Sequence, residues 1–225
     1  SSNNVGSLVG IEAFVELTYL NLNNKNFVDI GPLASLTKLE ELWLEWGRCD
    51  IADLSPLANL LSLQKLAIRG SQVEDVSPLA KLIGLKELYV EHSRVSDISA
   101  LRNLKRLQRL GVHENRRDNS EGISDLSAVT GMADLRWLSL GSNDVSDLSP
   151  LSGLTSLEEL QVSRNKVQSL APLDGLPLLR QIQAEDNRIQ VIELTNLPSL
   201  DWLYAQGNAL QSLEGFGGAP NLNGL

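Results

Sequence analysis

Between Leu135 and Leu154 the apolar residues fall at a fixed cadence: Leu135, Leu138 and Leu140, then Val145, Leu148, Leu151 and Leu154, with Asn143 and Pro150 at set places between them. The cadence restarts at Leu157, 22 residues after it began. Segments opening at Leu17, Leu39, Leu63, Leu85, Leu107, Leu135, Leu157, Leu179 and Leu200 share an L-x-x-L-x-L alternation of period two, which predicts a short strand in each. One strand per repeat at this period predicts a solenoid, because such a coil can hide its apolar side only by stacking on its neighbours. Nine strands at ~4.8 Å spacing predict a parallel inner sheet on the order of 40 Å long.

The stretch after each strand is punctuated by D-[ILV]-[SG]-P-L, with Asp29, Asp53, Asp75 and Asp147 as its aspartates. Proline fixes φ and suits the first turn of a short helix, and Asp or Ser just ahead of it can bond free N–H groups. The predicted domain is single, spanning 1–225. It holds a half-repeat over 5–16, nine repeats over 17–221, and the start of an unfinished repeat over 222–225. In the half-repeat Val5, Leu8, Ile11 and Phe14 occupy apolar slots, and Phe14, Phe27 and Phe216 are all expected in the core. The coil from Leu39 is two residues longer than its fellows, and that from Leu107 is six longer.

The motif L-x-x-L-x-L-x-x-N at this period resembles the leucine-rich repeat, and the half-coil with D-I-x-P-L-x-x-L spacing resembles the internalin-type bacterial class of it. The resemblance covers residues 5–225. It implies an α/β fold: a curved horseshoe with a parallel sheet on the concave face and short 3₁₀ or helical turns on the convex face. It also implies that the concave sheet grips a protein partner, often a receptor, and that the chain works outside the cell as a secreted or surface protein. The single cysteine, Cys49, excludes an internal disulfide and leaves a cytoplasmic origin open.

Strand alternation sends the non-leucine residues of each strand to the concave face. All four tryptophans (Trp43, Trp46, Trp137, Trp202), all three tyrosines (Tyr19, Tyr89, Tyr204) and both histidines (His92, His113) are expected there. Trp and Tyr dominate interface energetics, so these nine are the candidate partner-binding residues. Between the two aromatic groups the floor is small, at Gly111, Ser139, Gly141 and Ser142, open either to a bulky partner element or to the long loop beside it. That loop, an insertion at the rim past Asn115, contributes Arg116, Arg117 and Asp118 as further candidates, since loops that break a scaffold often carry function.

Concave charges run in rows of alternating sign: Glu41, Lys65, Glu87, Arg109; Glu45, Arg69, Glu91, His113; and Arg136, Glu158, Arg180, Asp201. Opposite signs on neighbouring strands avoid like-charge repulsion and largely neutralise one another. Glu91 should neighbour His113, and His92 should neighbour Glu114. Such groups can hold zinc, but hydrogen-bonded His–Glu pairs account for them, so no metal site is assigned. The outer aspartates supply one carboxylate per coil, which fits turn capping and not the six to eight oxygens calcium takes. The Asn ladder (Asn115, Asn143, Asn165, Asn187, Asn208) should bond backbone groups in the bend after each strand.

A net charge of −9 argues against nucleic acid and anionic membrane partners, and no apolar run is long enough to insert into a bilayer. No phosphate loop, triad spacing or cofactor motif is present, so a non-enzymatic interaction module without cofactors is expected. A glycan-binding face is the alternative, since flat rings can stack on sugars. A third expectation is a structural spacer or assembly element: the glycine-rich run Gly215–Gly218 makes no obvious cap, so either the chain continues in the native protein or its open end associates end to end with another copy.

Overall fold

The computed structural model describes residues 7–25, 28–45, 50–116, 120–213 and 217–223. Among the described residues nine strands form one parallel sheet in sequence order: β1 (Tyr19–Asn21), β2 (Glu41–Glu45), β3 (Lys65–Arg69), β4 (Glu87–Glu91), β5 (Arg109–Gly111), β6 (Trp137–Ser139), β7 (Glu159–Gln161), β8 (Gln181–Gln183) and β9 (Trp202–Tyr204). Each begins two residues after the leucine that opens its coil. Register is fixed by the central leucine row, with Leu42 beside Leu66, Leu66 beside Leu88 and so on to Ile182 beside Leu203. Slipping one strand by a residue would turn its leucines into water, so the pattern tolerates no alternative pairing.

Short 3₁₀ turns form the opposite wall, among them Gly31–Ser35, Ser55–Leu57, Ser77–Lys81, Ser99–Asn103, Ser127–Val129 and Ser149–Leu151. The aspartate two residues ahead of each accepts a hydrogen bond from the first backbone N–H of the turn, from Gly31 to Asp29 (2.7 Å) through Ser149 to Asp147 (2.8 Å). In coil seven Ser169 takes the same role toward Ala171 (3.1 Å). These N–H groups and the adjoining serine hydroxyls hold the Asp53 and Asp97 carboxyls below their ordinary range. The outer aspartates are thus turn caps.

The Asn ladder is a buried spine along the bend. Asn143 donates to the carbonyls of Val112 and Leu140, both at 2.9 Å, and accepts from the Ile123 N–H at 3.1 Å. Asn115, Asn165, Asn187 and Asn208 repeat this, each tying the end of its own strand to the preceding coil. In the N-terminal coils Ser71 and Ser93 fill the slot, buried and bonded to each other at 2.7 Å.

The residue ahead of the spine holds a left-handed backbone in every described coil. Glycine occupies that slot at Gly70 and Gly207, but Asn24, His92, Glu114, Ser142, Arg164 and Asp186 adopt it with φ between 51° and 57°. A side chain there costs about 1–2 kcal/mol relative to right-handed backbone.

Two expectations are corrected. Phe14 is 61% exposed and lies outside the buried core, although Leu8 of the same half-coil is buried. His92 lies in the left-handed bend after β4, so its side chain sits at the lip of the sheet and only His113 stays in the concave row. Phe27, Phe216 and Cys49 fall outside the described residues.

Candidate functional site

Three rows of side chains stand on the concave face. The first runs Tyr19, Glu41, Lys65, Glu87, Arg109, Trp137, Glu159, Gln181, Trp202, and the second Asn21, Trp43, Ala67, Tyr89, Gly111, Ser139, Gln161, Gln183, Tyr204. The third starts with Glu45, Arg69 and Glu91 on the strands. It continues through His113, Gly141, Ser163, Glu185 and Gln206, whose carbonyls carry on the interstrand ladder. Arg136, Glu158, Arg180 and Asp201 each immediately precede a strand, so their ladder (Arg136–Glu158 2.9 Å, Arg180–Asp201 3.1 Å) edges the sheet at its entrance and is not a concave row.

The face divides into two unlike halves. From β2 to β6 the large rings are occupied by the chain's own cations. Lys65 Nζ lies 4.4 Å from the Trp43 ring centre, the Arg69 guanidinium 5.1 Å from Tyr89, and that of Arg109 5.0 Å from Trp137. Tyr89 tilts against Trp137 at 5.9 Å and donates its hydroxyl to Glu87 at 3.0 Å. Burial and that carboxylate push its phenol up to about 12. Tyr89 is consequently buried, with Ala67 sealed beneath the layer.

Gly111 belongs to this packed half and is no open floor. A Cβ there would meet Glu91 Oε1 at 2.1 Å and Tyr89 Cδ1 at 2.8 Å, so the glycine is what lets both side chains lie down. Gly111→Ala is therefore expected to destabilise the fold by about 1–3 kcal/mol in urea unfolding. A change below a few tenths would mean that Tyr89 and Glu91 move aside freely.

Beside it lies a buried ionic row. Arg69 bridges Glu45 Oε1 (3.2 Å) and Glu91 Oε2, while Glu91 Oε1 lies 3.4 Å from His113 Nδ1. One guanidinium serves two carboxylates that are almost wholly buried. Desolvation raises the Glu91 carboxyl to about 7, against the pull of Arg69, and burial lowers the His113 imidazole to about 4. His92 Nδ1 meets Glu114 Oε2 at 2.7 Å, and the two imidazoles touch edge-on at 5.2 Å. Among the described residues no group of three or more potential ligands is placed to share a metal ion.

The two shifts oppose each other in the pH dependence of stability. Glu91, protonated more readily when folded, contributes stability below pH 4.5 that is lost as pH rises to about 7. His113, protonated less readily when folded, contributes stability above pH 6.5 that is lost as pH falls to about 4. Between pH 4.5 and 6.5 the slopes cancel. His113→Asn removes one of them, and the variant should lose stability relative to wild type as pH rises from 4.5 to 6.5, by on the order of 1–3 kcal/mol. Parallel stability–pH curves for the two proteins would contradict this coupling.

From β6 onward the face is open. Ser139, Gly141, Ser142, Gln161, Ser163 and Gln183 floor a hollow of about 470 Å³, rimmed by His113, Glu114, Arg164, Glu185, Asp186 and Gln206. Five of the left-handed residues, Glu114, Ser142, Arg164, Asp186 and Gly207, therefore line it. Serine hydroxyls hold the floor in place: Ser139 bonds Gln161 at 3.0 Å and His113 at 3.2 Å, and Ser163 donates to Glu185. Tyr204 pairs in register with Gln183 at the edge of the hollow. Its ring is parallel to that of Trp202, 7° apart in plane and 6.2 Å between centres. Trp202 is 41% exposed, and at the far end of the sheet Tyr19 is 52% exposed.

Trp46, Arg117 and Asp118 fall outside the described residues. Arg116, at the base of the rim insertion, is anchored to Asp144 (3.4 Å), which also accepts from the Gly122 N–H (2.8 Å) and pairs with Lys166 (2.7 Å). No described residue of the insertion lines the hollow. Tyr19, Trp43, Tyr89, Trp137, Trp202, Tyr204 and His113 do share one face, yet only Trp202, Tyr204 and Tyr19 leave substantial ring surface without a cation of the chain's own among the described residues. Sequence reasoning missed Gln161, Ser163, Arg164, Gln183, Glu185, Asp186 and Gln206. Carrying the register it used for the aromatics through the last three coils would have found them.

A parallel one-strand-per-coil solenoid, capped by aspartates on one wall and stitched by asparagines at the bend, defines a leucine-rich-repeat protein. The family model for leucine-rich repeats (two copies) matches residues 15–59 and 134–175. The fold is that of the internalins. Internalin InlF from Listeria monocytogenes is similar with a TM-score of 0.73 at 27% identity, over 98% of this chain and 70% of that one. Internalin C2 from the same organism gives 0.70 at 26% identity, over 94% of this chain and 81% of the other. The ectodomain of the Arabidopsis thaliana membrane receptor kinase GASSHO1, in complex with Casparian strip integrity factor 2, gives 0.76 at 22% identity over 88% of this chain and 25% of its own, a likeness of fold alone. No curated protein matches the chain in sequence. Among the described residues no helix is long and apolar enough to cross a membrane.

Proposed function

We propose that the chain is a binding module that grips a protein partner on the concave sheet, chiefly through its C-terminal half. Trp202 and Tyr204 are the anchors, with Trp137 bordering the contact and Tyr19 a separate contact at the other end. The observation that carries this is the contrast between the halves. The rings from Trp43 to Trp137 are already covered by Lys65, Arg69 and Arg109, whereas the Trp202–Tyr204 pair stands open beside the hollow. Exposed rings at a concave surface supply large contact area at little entropic cost, and such residues concentrate binding energy. On the internalin likeness the partner is met outside the cell, as a receptor would be.

The second reading is a glycan ligand, favoured by the two parallel rings next to amide and hydroxyl groups. Affinity capture with wild type, Trp43→Ala and the Trp202→Ala/Tyr204→Ala pair as baits separates the readings. A protein retained by wild type and Trp43→Ala but lost from the double variant supports the first. Glycan-array binding lost in the same double variant, with no protein captured, supports the second.

A further inference from the structure

Resting on that reading, we propose that the hollow over β6–β9 takes an arginine- or lysine-bearing segment of the partner, with the basic side chains running from the Glu185–Asp186 lip onto the Trp202–Tyr204 rings.

Two independent features point to a cationic occupant, and a third concerns the surface that would receive it. The first is the habit of the face itself. Trp43, Tyr89 and Trp137 each hold a Lys or Arg within 4.4–5.1 Å of the ring centre, while among the described residues Trp202 and Tyr204 hold none. Cation–π contact is worth most where the cation is desolvated, and a partner's side chain entering the hollow meets that condition.

The second is charge. The rim carries three carboxylates, on Glu114, Glu185 and Asp186, against the single guanidinium of Arg164, which sits 3.7 Å from Asp186. The neighbouring imidazole, held down to about 4, adds no positive charge at neutral pH. The chain as a whole carries −9, so long-range attraction acts in the same sense.

The third is backbone strain. Gly70 and Gly207 satisfy the left-handed slot in coils three and nine, and Gly207 itself lines the hollow, yet the other coils that line it keep Glu114, Ser142, Arg164 and Asp186 there, as Asn24 and His92 do elsewhere. Glycine would relieve the cost, but it would remove every one of these side chains from the lining of the hollow. Strain retained at residues that line a cavity is a mark of a working surface. At about 470 Å³ the hollow lies within the range of roughly 300–1,000 Å³ that holds a drug-sized ligand, so it accommodates several side chains of an extended segment.

The test uses the full chain, isotopically labelled, and a capped Gly-Arg-Gly-Arg-Gly peptide at physiological salt, with amide and indole shifts followed by NMR. The expected result is shifts centred on Gln161, Ser163, Gln183, Gln206 and the Trp202 indole. Affinity should fall at least tenfold for the citrulline analogue of the peptide and for the Glu185→Gln/Asp186→Asn variant. Both substitutions keep size and hydrogen bonding, and Asn tolerates the left-handed backbone of Asp186, so the fold is preserved. Equal binding of the citrulline peptide, shifts scattered over the acidic surface and indifferent to the double variant, or binding of a neutral tetrasaccharide at the same amides with no response to the arginine peptide would each overturn the proposal. A captured partner lost on Trp202→Ala/Tyr204→Ala but unaffected by Glu185→Gln/Asp186→Asn would leave concave binding standing and overturn the cationic segment alone.

Discussion

Asn143→Leu should lower the stability of the fold by about 3–5 kcal/mol. The side chain is buried, and its removal strands the carbonyls of Val112 and Leu140 together with the N–H of Ile123. Each orphaned buried group costs about 1–3 kcal/mol, and leucine offers nothing to any of them. In a protein of this size that corresponds to a fall of roughly 10 °C or more in Tm. The same change at Asn208, which is only partly buried at the last coil, should cost about half as much. Urea unfolding followed by circular dichroism measures both. A loss under 1 kcal/mol at Asn143 would mean that the spine is replaceable by packing alone.

The second large effect concerns affinity. Trp202→Ala/Tyr204→Ala should weaken the concave partner by about 2–4 kcal/mol, on the order of 30- to 1,000-fold in Kd, with little change in unfolding midpoint. The rings rest on each other and on solvent, so truncating them opens no cavity in the core. Trp43→Ala should do the reverse, costing stability because it strips the cover from Lys65 and Ala67, and leaving affinity nearly unchanged. Titration calorimetry on the three proteins, alongside their melting curves, decides it. Equal losses of affinity at Trp43 and at the Trp202–Tyr204 pair would mean that the whole face binds as one surface.

The coil boundaries were legible because a leucine row misplaced by one residue would face water; Leu66, Leu138 and Leu203 admit a single register. Asparagine and aspartate were equally plain, since each satisfies backbone groups at a fixed offset from its own position. The site was legible only in outline. Facing inward is a property of the backbone and follows from alternation, but remaining open depends on neighbours. Tyr89 and Trp202 obey the same pattern, yet Tyr89 is roofed by Arg69 and by its contact with Trp137, which no count along one coil displays. Gly111 and Gly141 likewise read alike as small floor residues. One is filled by Glu91 and Tyr89 reaching across from β4, and the other looks out on the hollow. Phe14 differs for a related reason: the cadence assigns it an apolar slot, but its exposure depends on what packs over that slot, which the cadence does not display. The left-handed slot escaped notice because Glu114, Arg164 and Asp186 carry no sequence mark of that conformation.

The division of the concave face is tested most directly by a photoactivatable benzoyl-phenylalanine placed in turn at Gln183 in the hollow, at Glu41 in the packed half and at Ser152 on the opposite wall, then irradiated with the captured partner. Crosslinking from Gln183, with none from Ser152 and little from Glu41, is the predicted result. Efficient crosslinking from Ser152 or Glu41 with none from Gln183 would contradict it.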